Sequence, residues 1–256
     1  MLRYERVLPL LTDVHVVVPA LPGYPFAAPL QDRDLSGAGM AEHVAAAMAE
    51  LGYERYVVSA GDIGRMTALG LATEYRERVS ALHVTDLPLA PRPGAGPPSD
   101  EELEHRTSAS GWLMSNGAYL LAQRTRPHTL AVALGDSPSG LAAWIVEKLR
   151  DWSDSGGDVE SVFAREDVLT WITAYWVTGA IGTSFAPYAR LSPTPERVDV
   201  PTVVSQFPHD LVRAPRPLAE QLFDLRVWQE PEAGGHFAAW EVPEAFVTGV
   251  RAALDL

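Results

Sequence analysis

The chain has 256 residues, 47% of them hydrophobic, enough for one large α/β domain or a domain carrying an insertion. A formal net charge of −13 argues against nucleic acid and anionic membranes as partners, and the lack of cysteine excludes disulfides, thiolate catalysis and Cys-ligated metal. No apolar run approaches the roughly 20 residues of a membrane span, and the first residues lack the basic-then-apolar layout of a signal peptide, so a soluble cytoplasmic protein is expected.

In chain order, residues 3–11 read as a short helix, and Val14-His15-Val16-Val17-Val18 as a buried strand ending at Pro19. Ala20 to Phe26 is a loop whose path proline and glycine fix. Met40 to Leu51 has helical spacing and stops at Gly52. Val57-Val58 is a short strand followed by a helix, and Val79 to Val84 is the next strand. This alternation predicts a mostly parallel, doubly wound sheet. The rhythm breaks at Pro88 to Pro98, rich in proline and glycine. Gly94-Ala95-Gly96 within it follows no strand and so is no phosphate loop. Ser99 begins a helix with a capping pattern, and the reading stays helical to about Thr194. Alternation then resumes: a strand over Pro201 to Phe207, a helix near Leu218, a strand at Leu225 to Trp228, and a closing helix from Pro243 to Leu254. The expected organisation is a core over residues 1–98 and 196–256, with a helical cap over 99–195.

The chemistry centres on Ala60-Gly61-Asp62-Ile63-Gly64. A strand, a tight turn of small residues around one acid, and a helix form the architecture that lifts a nucleophile out of the chain. Ala60 and Gly64 are expected to be small because bulk there would collide. A carboxylate in that place, Asp62, suits attack on an sp3 carbon with formation of an alkyl ester. The plainer reading of Asp62 is a helix N-cap. An aspartyl ester needs a base to activate water. His236, in Gly234-Gly235-His236-Phe237, follows a strand, and two glycines let the imidazole turn back toward the bend. Asp210, in the loop after the preceding strand, would hold the imidazole tautomer, with Asp86 as the competing acid. His15, His43, His83, His105, His128 and His209 have no metal-ligand spacing, so neither metal nor cofactor is expected.

Leu21-Pro22-Gly23-Tyr24, Gly61-Asp62-Ile63-Gly64, Asp136-Ser137-Pro138-Ser139-Gly140-Leu141-Ala142-Ala143-Trp144, Phe207-Pro208-His209-Asp210 and Gly234-Gly235-His236-Phe237-Ala238-Ala239-Trp240-Glu241 together resemble the microsomal-type epoxide hydrolases of the α/β-hydrolase superfamily. The resemblance implies an α/β-hydrolase sheet with a helical cap and hydrolysis of a small apolar epoxide by water to a vicinal diol. It places two oxygen-gripping cap tyrosines at Tyr119 and Tyr188, and the backbone N–H of Ile63 as one oxyanion donor. Relative to the family, the chain starts after the first strands and after the His-Gly-x-Pro loop that supplies the other donor. The Val14 to Val18 strand would then expose an edge able to pair with a second copy. Two rival functions stand beside the hydrolase: an inactive, ligand-binding or self-associating relative, and a haloalkane dehalogenase. The dehalogenase would leave both tyrosines without a task and lacks a halide-gripping tryptophan beside Asp62.

Overall fold

The computed structural model describes residues 2–27, 34–88, 97–190 and 194–256. Most of the Pro/Gly-rich stretch, with Gly94-Ala95-Gly96, lies outside the described residues.

Four parallel strands form one sheet in sequence order: β1 (Tyr56–Ala60), β2 (Val79–Val84), β3 (Val198–Ser205) and β4 (Phe223–Gln229). Parallel neighbours need crossovers that cover both faces. Strand alternation divides the side chains between those faces. Leu82, Val84 and Val204 pack toward α1 (Gly37–Glu50) and α2 (Ile63–Glu74), where Ala41, Ala45, Ala68, Leu69 and Leu71 complete the larger core. Ala81 and Val203 point the other way, onto Ala253 of the closing helix, which spans Pro243–Leu254.

On that second face a polar chain crosses all four strands. His83 is fully buried, with Nδ1 2.9 Å from Ser59 Oγ and Nε2 3.0 Å from Ser205 Oγ. Ser205 donates to Gln229 Oε1 at 2.8 Å, so its oxygen accepts from His83 Nε2–H and Ser59 donates to Nδ1. Gly249 lets the closing helix lie this close, because a Cβ there would be 2.4 Å from His83 Nε2. Burial depresses the imidazole's pKa to about 3, so His83 stays neutral.

Among the described residues between β2 and β3, every regular element is helical. These are α3 (Asp100–Asn116), α4 (Ala118–Thr125), α5 (Pro127–Gly135), α6 (Pro138–Asp151), α7 (Arg165–Thr178) and α8 (Ala186–Ala189), joined by short 3-10 turns. The Ser99/Glu102 capping box expected for α3 is formed on both sides. Leu141, Leu149, Phe163 and Phe185 give this segment its own buried cluster, which reaches Trp240 near the chain's end. After β3 come α9 (Arg216–Leu222), β4, α10 (Ala238–Glu241) and the closing helix, α11.

Two expected elements differ. Residues 3–11 form two 3-10 turns, Leu2–Tyr4 and Leu8–Leu10, with Pro9 withholding the N–H that a continuous helix would use. Val14 to Val18 forms no strand. An apolar run becomes a strand only when a neighbour completes its hydrogen bonds. Among the described residues none pairs with it, and Val16 and Val17 stand exposed.

Candidate active site

The bend after β1 places Asp62 at φ 55°, ψ −129°, a left-handed backbone that non-glycine residues seldom adopt and that costs of order 1–3 kcal/mol. Two groups hold it there. The backbone N–H of Asp62 donates to Asp86 Oδ1 at 2.8 Å, while Arg65 Nε donates to Asp86 Oδ2 at 2.8 Å. Asp86 is therefore a brace beneath the bend, with no hydrogen bond to His236. Burial pushes its pKa up, with the charge of Asp210 adding to the rise and Arg65 opposing it. The tight glycine is Gly61, where a Cβ would lie 2.4 Å from Thr85 Oγ1. At Gly64 a Cβ would meet only Ala60 Cβ at 3.7 Å, ordinary contact, so the steric reason expected for Gly64 belongs to Gly61.

Asp62 occupies the N-cap position of α2, yet its side chain makes no capping hydrogen bond. It turns instead to His236, whose Nε2 is 3.2 Å from Asp62 Oδ2. On the far side of the ring, Nδ1 lies 2.8 Å from Asp210 Oδ1, which also accepts from Leu211 N at 2.7 Å. Asp210 and His236 are almost fully buried, whereas the Asp62 side chain keeps 37% of its surface open. Burial opposes charge on the imidazole, but Asp210, by charge and hydrogen bond, and the bond from Asp62 outweigh it, raising His236 to about 10. Burial likewise opposes charge on Asp62, and His236, Arg3 and Arg65 overturn that, holding its pKa below the usual carboxylate value. Both shifts favour a charged pair of His236 and Asp62.

The loop that carries His236 is fixed from several sides. Gly234 has φ 104°, and a Cβ on Gly235 would sit 2.7 Å from Trp152 O, so both glycines are required. Glu241 gathers three backbone N–H groups, from Asp154 at 2.6 Å, Gly235 at 3.0 Å and Phe237 at 2.8 Å. His236 N donates to Trp152 O at 2.8 Å, and Trp152 sets its ring edge-on to the imidazole. A bridge between His209 and Gly235 ties the Asp210 turn to the same loop.

The helical segment brings Tyr119 (α4) and Tyr188 (α8) together, with ring centroids 6.3 Å apart. Both phenol pKa values are raised, by burial first and then by the nearby Asp62 charge, so both remain proton donors. The Gln123 side chain beside Tyr188 opposes that rise. Two phenols that sequence reasoning gave no role join them. Burial and Asp62 push Tyr175 up to about 12, and Tyr24 is raised by burial, Tyr175 and Asp62. Thr183 Oγ1 donates to Gly23 O at 2.7 Å and so ties the Tyr24 loop to the helical segment. The backbone N–H of Ile63 opens α2, where helix N–H groups have no partner within the helix. Glu241 and Trp152 were given no role by the sequence reading, and Asp86 was weighed there only as a rival acid, not as a brace. For Glu241, its place five residues after His236 in the quoted motif was the available signal.

A parallel α/β sheet with an acid on the sharp β1–α2 turn, a histidine late in the chain and helices inserted between strands defines an α/β hydrolase. No protein-family model matches the chain. It is 35% identical to a Stigmatella aurantiaca protein provisionally named an epoxide hydrolase, over 98% of this chain and 60% of that one. It is 29% identical to rabbit (Oryctolagus cuniculus) epoxide hydrolase 1, over 94% of this chain and 62% of that one. Among solved structures, juvenile hormone epoxide hydrolase from the silkworm Bombyx mori superposes with TM-score 0.87 at 27% identity, covering 99% of this chain and 69% of that one. Aspergillus niger epoxide hydrolase gives 0.85 at 28%, covering 99% and 68%. The chain has the α/β-hydrolase fold and is similar to epoxide hydrolases, and it spans about three fifths of the length of the curated relatives it matches.

Proposed function

We propose that this chain carries the active site of an epoxide hydrolase, converting a small apolar epoxide and water to a vicinal diol through an ester on Asp62. The observation that carries the reading is the strained, uncapped Asp62 carboxylate, 3.2 Å from His236 and overlooked by Tyr119 and Tyr188. In this reading the helices between β2 and β3 act as the cap.

An Asp62 oxygen attacks one ring carbon while the C–O bond to the ring oxygen breaks. A phenol proton passes to that oxygen, since an alkoxide is a poor leaving group. Asp62 is now a neutral ester, so one of the two charges that held His236 protonated is gone. The imidazolium returns a proton to the phenolate through water and becomes the neutral base that hydrolysis needs. His236 then takes a proton from water as the hydroxide adds to the ester carbonyl, with Ile63 N–H beside the developing oxyanion. Collapse releases the diol, the proton on the Asp62 carboxyl passes to the departing oxygen, and the resting charges are restored. Asp210 holds the Nδ1–H tautomer and the imidazolium throughout.

The test is incubation of the His236→Gln variant with styrene oxide, followed by peptide mass analysis. The reading predicts a stable adduct on the peptide containing Asp62. A folded protein that accumulates none, and whose wild-type form makes no diol, would favour the inactive, ligand-binding alternative. A dehalogenase would instead release halide from a haloalkane.

A further inference from the structure

Lys148 is the only lysine in the chain, yet its side chain is not held out in water: 13% of its surface is exposed. A lysine head normally snorkels to solvent. Here the ammonium lies against three aromatic rings, with Nζ 4.5 Å from the Trp144 centroid, 5.2 Å from Tyr119 and 5.9 Å from Trp152. The spacing follows from the helix, since Trp144, Lys148 and Trp152 stand four residues apart along α6 and its end, and so share one face. Glu147 pairs with the ammonium from the solvent side. Trp152 also packs against Tyr119, with centroids 5.0 Å apart, and against His236 at 5.5 Å. The lysine thus stands behind the phenol assigned as proton donor, in a cluster that continues to the base.

We propose that Lys148 is a positioning residue for Tyr119, acting through the face of its ring to favour transfer of the phenol proton to the opening epoxide. This rests on the epoxide-hydrolase reading given above. A neutral phenol attracts a cation only through its ring quadrupole. As the proton moves to the substrate oxygen the ring becomes negative, and the same contact grows toward an ion pair. The interaction is stronger in the transition state than before it, which is the condition for accelerating the step. Ester hydrolysis has no such dependence, because the phenol has regained its proton by then.

The decisive experiment is a double-mutant cycle on the rate of Asp62 alkylation, followed in single turnovers with styrene oxide. Lys148→Met is combined with Tyr119→Phe, which keeps the ring and removes the acidic proton; Tyr188 sustains the residual reaction. Lys148→Met is expected to slow alkylation about tenfold in the wild-type background and less than twofold in the Tyr119→Phe background, with Lys148→Arg restoring most of the rate. Hydrolysis of the preformed ester is expected to change little. Equal loss in both backgrounds, or equal slowing of alkylation and hydrolysis, would mean that Lys148 merely supports the helical segment, and would overturn the proposal. A wild-type protein that forms no ester would instead overturn the functional reading on which the proposal rests.

Discussion

Replacing Asp62 with asparagine imitates the charge change that alkylation causes, and should turn His236 from a resting imidazolium toward a neutral base. The Asp62 carboxylate is 3.2 Å from His236 Nε2. Two unit charges at that distance interact by about 5 kcal/mol at an effective dielectric constant near 20. With 37% of its side-chain surface exposed, Asp62 is screened by water, and halving the figure leaves about 2–3 kcal/mol. At about 1.4 kcal/mol per pH unit, His236 should fall from about 10 by about two pH units in the variant. Asp210, 2.8 Å away and almost fully buried, keeps it above an ordinary histidine. The assay is a nitrogen-15 NMR titration of the imidazole in the wild type and in Asp62→Asn. An unshifted titration, or a wild-type imidazole already neutral at pH 7, would refute the reasoning that ester formation releases the base.

Other predictions concern the framework. His83 is neutral when folded, with its pKa lowered from 6.5 to about 3, so its contribution to stability is complete above pH 6.5 and is lost as pH falls toward 3. Between pH 7.5 and 5 this amounts to about 2 kcal/mol. His83→Gln should therefore lose that much less than wild type in urea unfolding over the same interval, the opposite contribution of His236 cancelling in the comparison. Glu241→Gln places an amide donor among three N–H groups, and urea unfolding should show a loss of about 1–3 kcal/mol with a larger fall in turnover. Gly61→Ala should destabilise by about 1–3 kcal/mol through its clash with Thr85, whereas Gly64→Ala should fold normally. Thermal unfolding of the pair checks both.

Much of the sheet was legible because buried parallel strands read as short, largely apolar segments rich in valine, as Val79 to Val84 and Pro201 to Phe207 do. Asp62, Asp210 and His236 were legible because each sits at the end of a strand, where the chain must turn and glycine or proline marks the place. Val14 to Val18 misled for a physical reason: its composition is that of a strand, but the hydrogen bonds must come from a neighbour that no local pattern reports. Asp86 and Glu241 were missed as braces because their partners are backbone N–H groups, which every residue but proline carries and which leave no mark in the sequence. Lys148 was visible as the lone lysine, but its aromatic surroundings depend on how α4 and α6 pack.

The central claim, that Asp62 becomes covalently bound during turnover, is tested most directly by a single turnover of styrene oxide in oxygen-18 water with protein in excess. An ester route predicts that the first diol carries no heavy oxygen, while the carboxylate of Asp62 gains one, read on its peptide by mass spectrometry. Heavy oxygen in the first diol, with Asp62 unlabelled, would mean that water attacks the epoxide directly and would contradict the account.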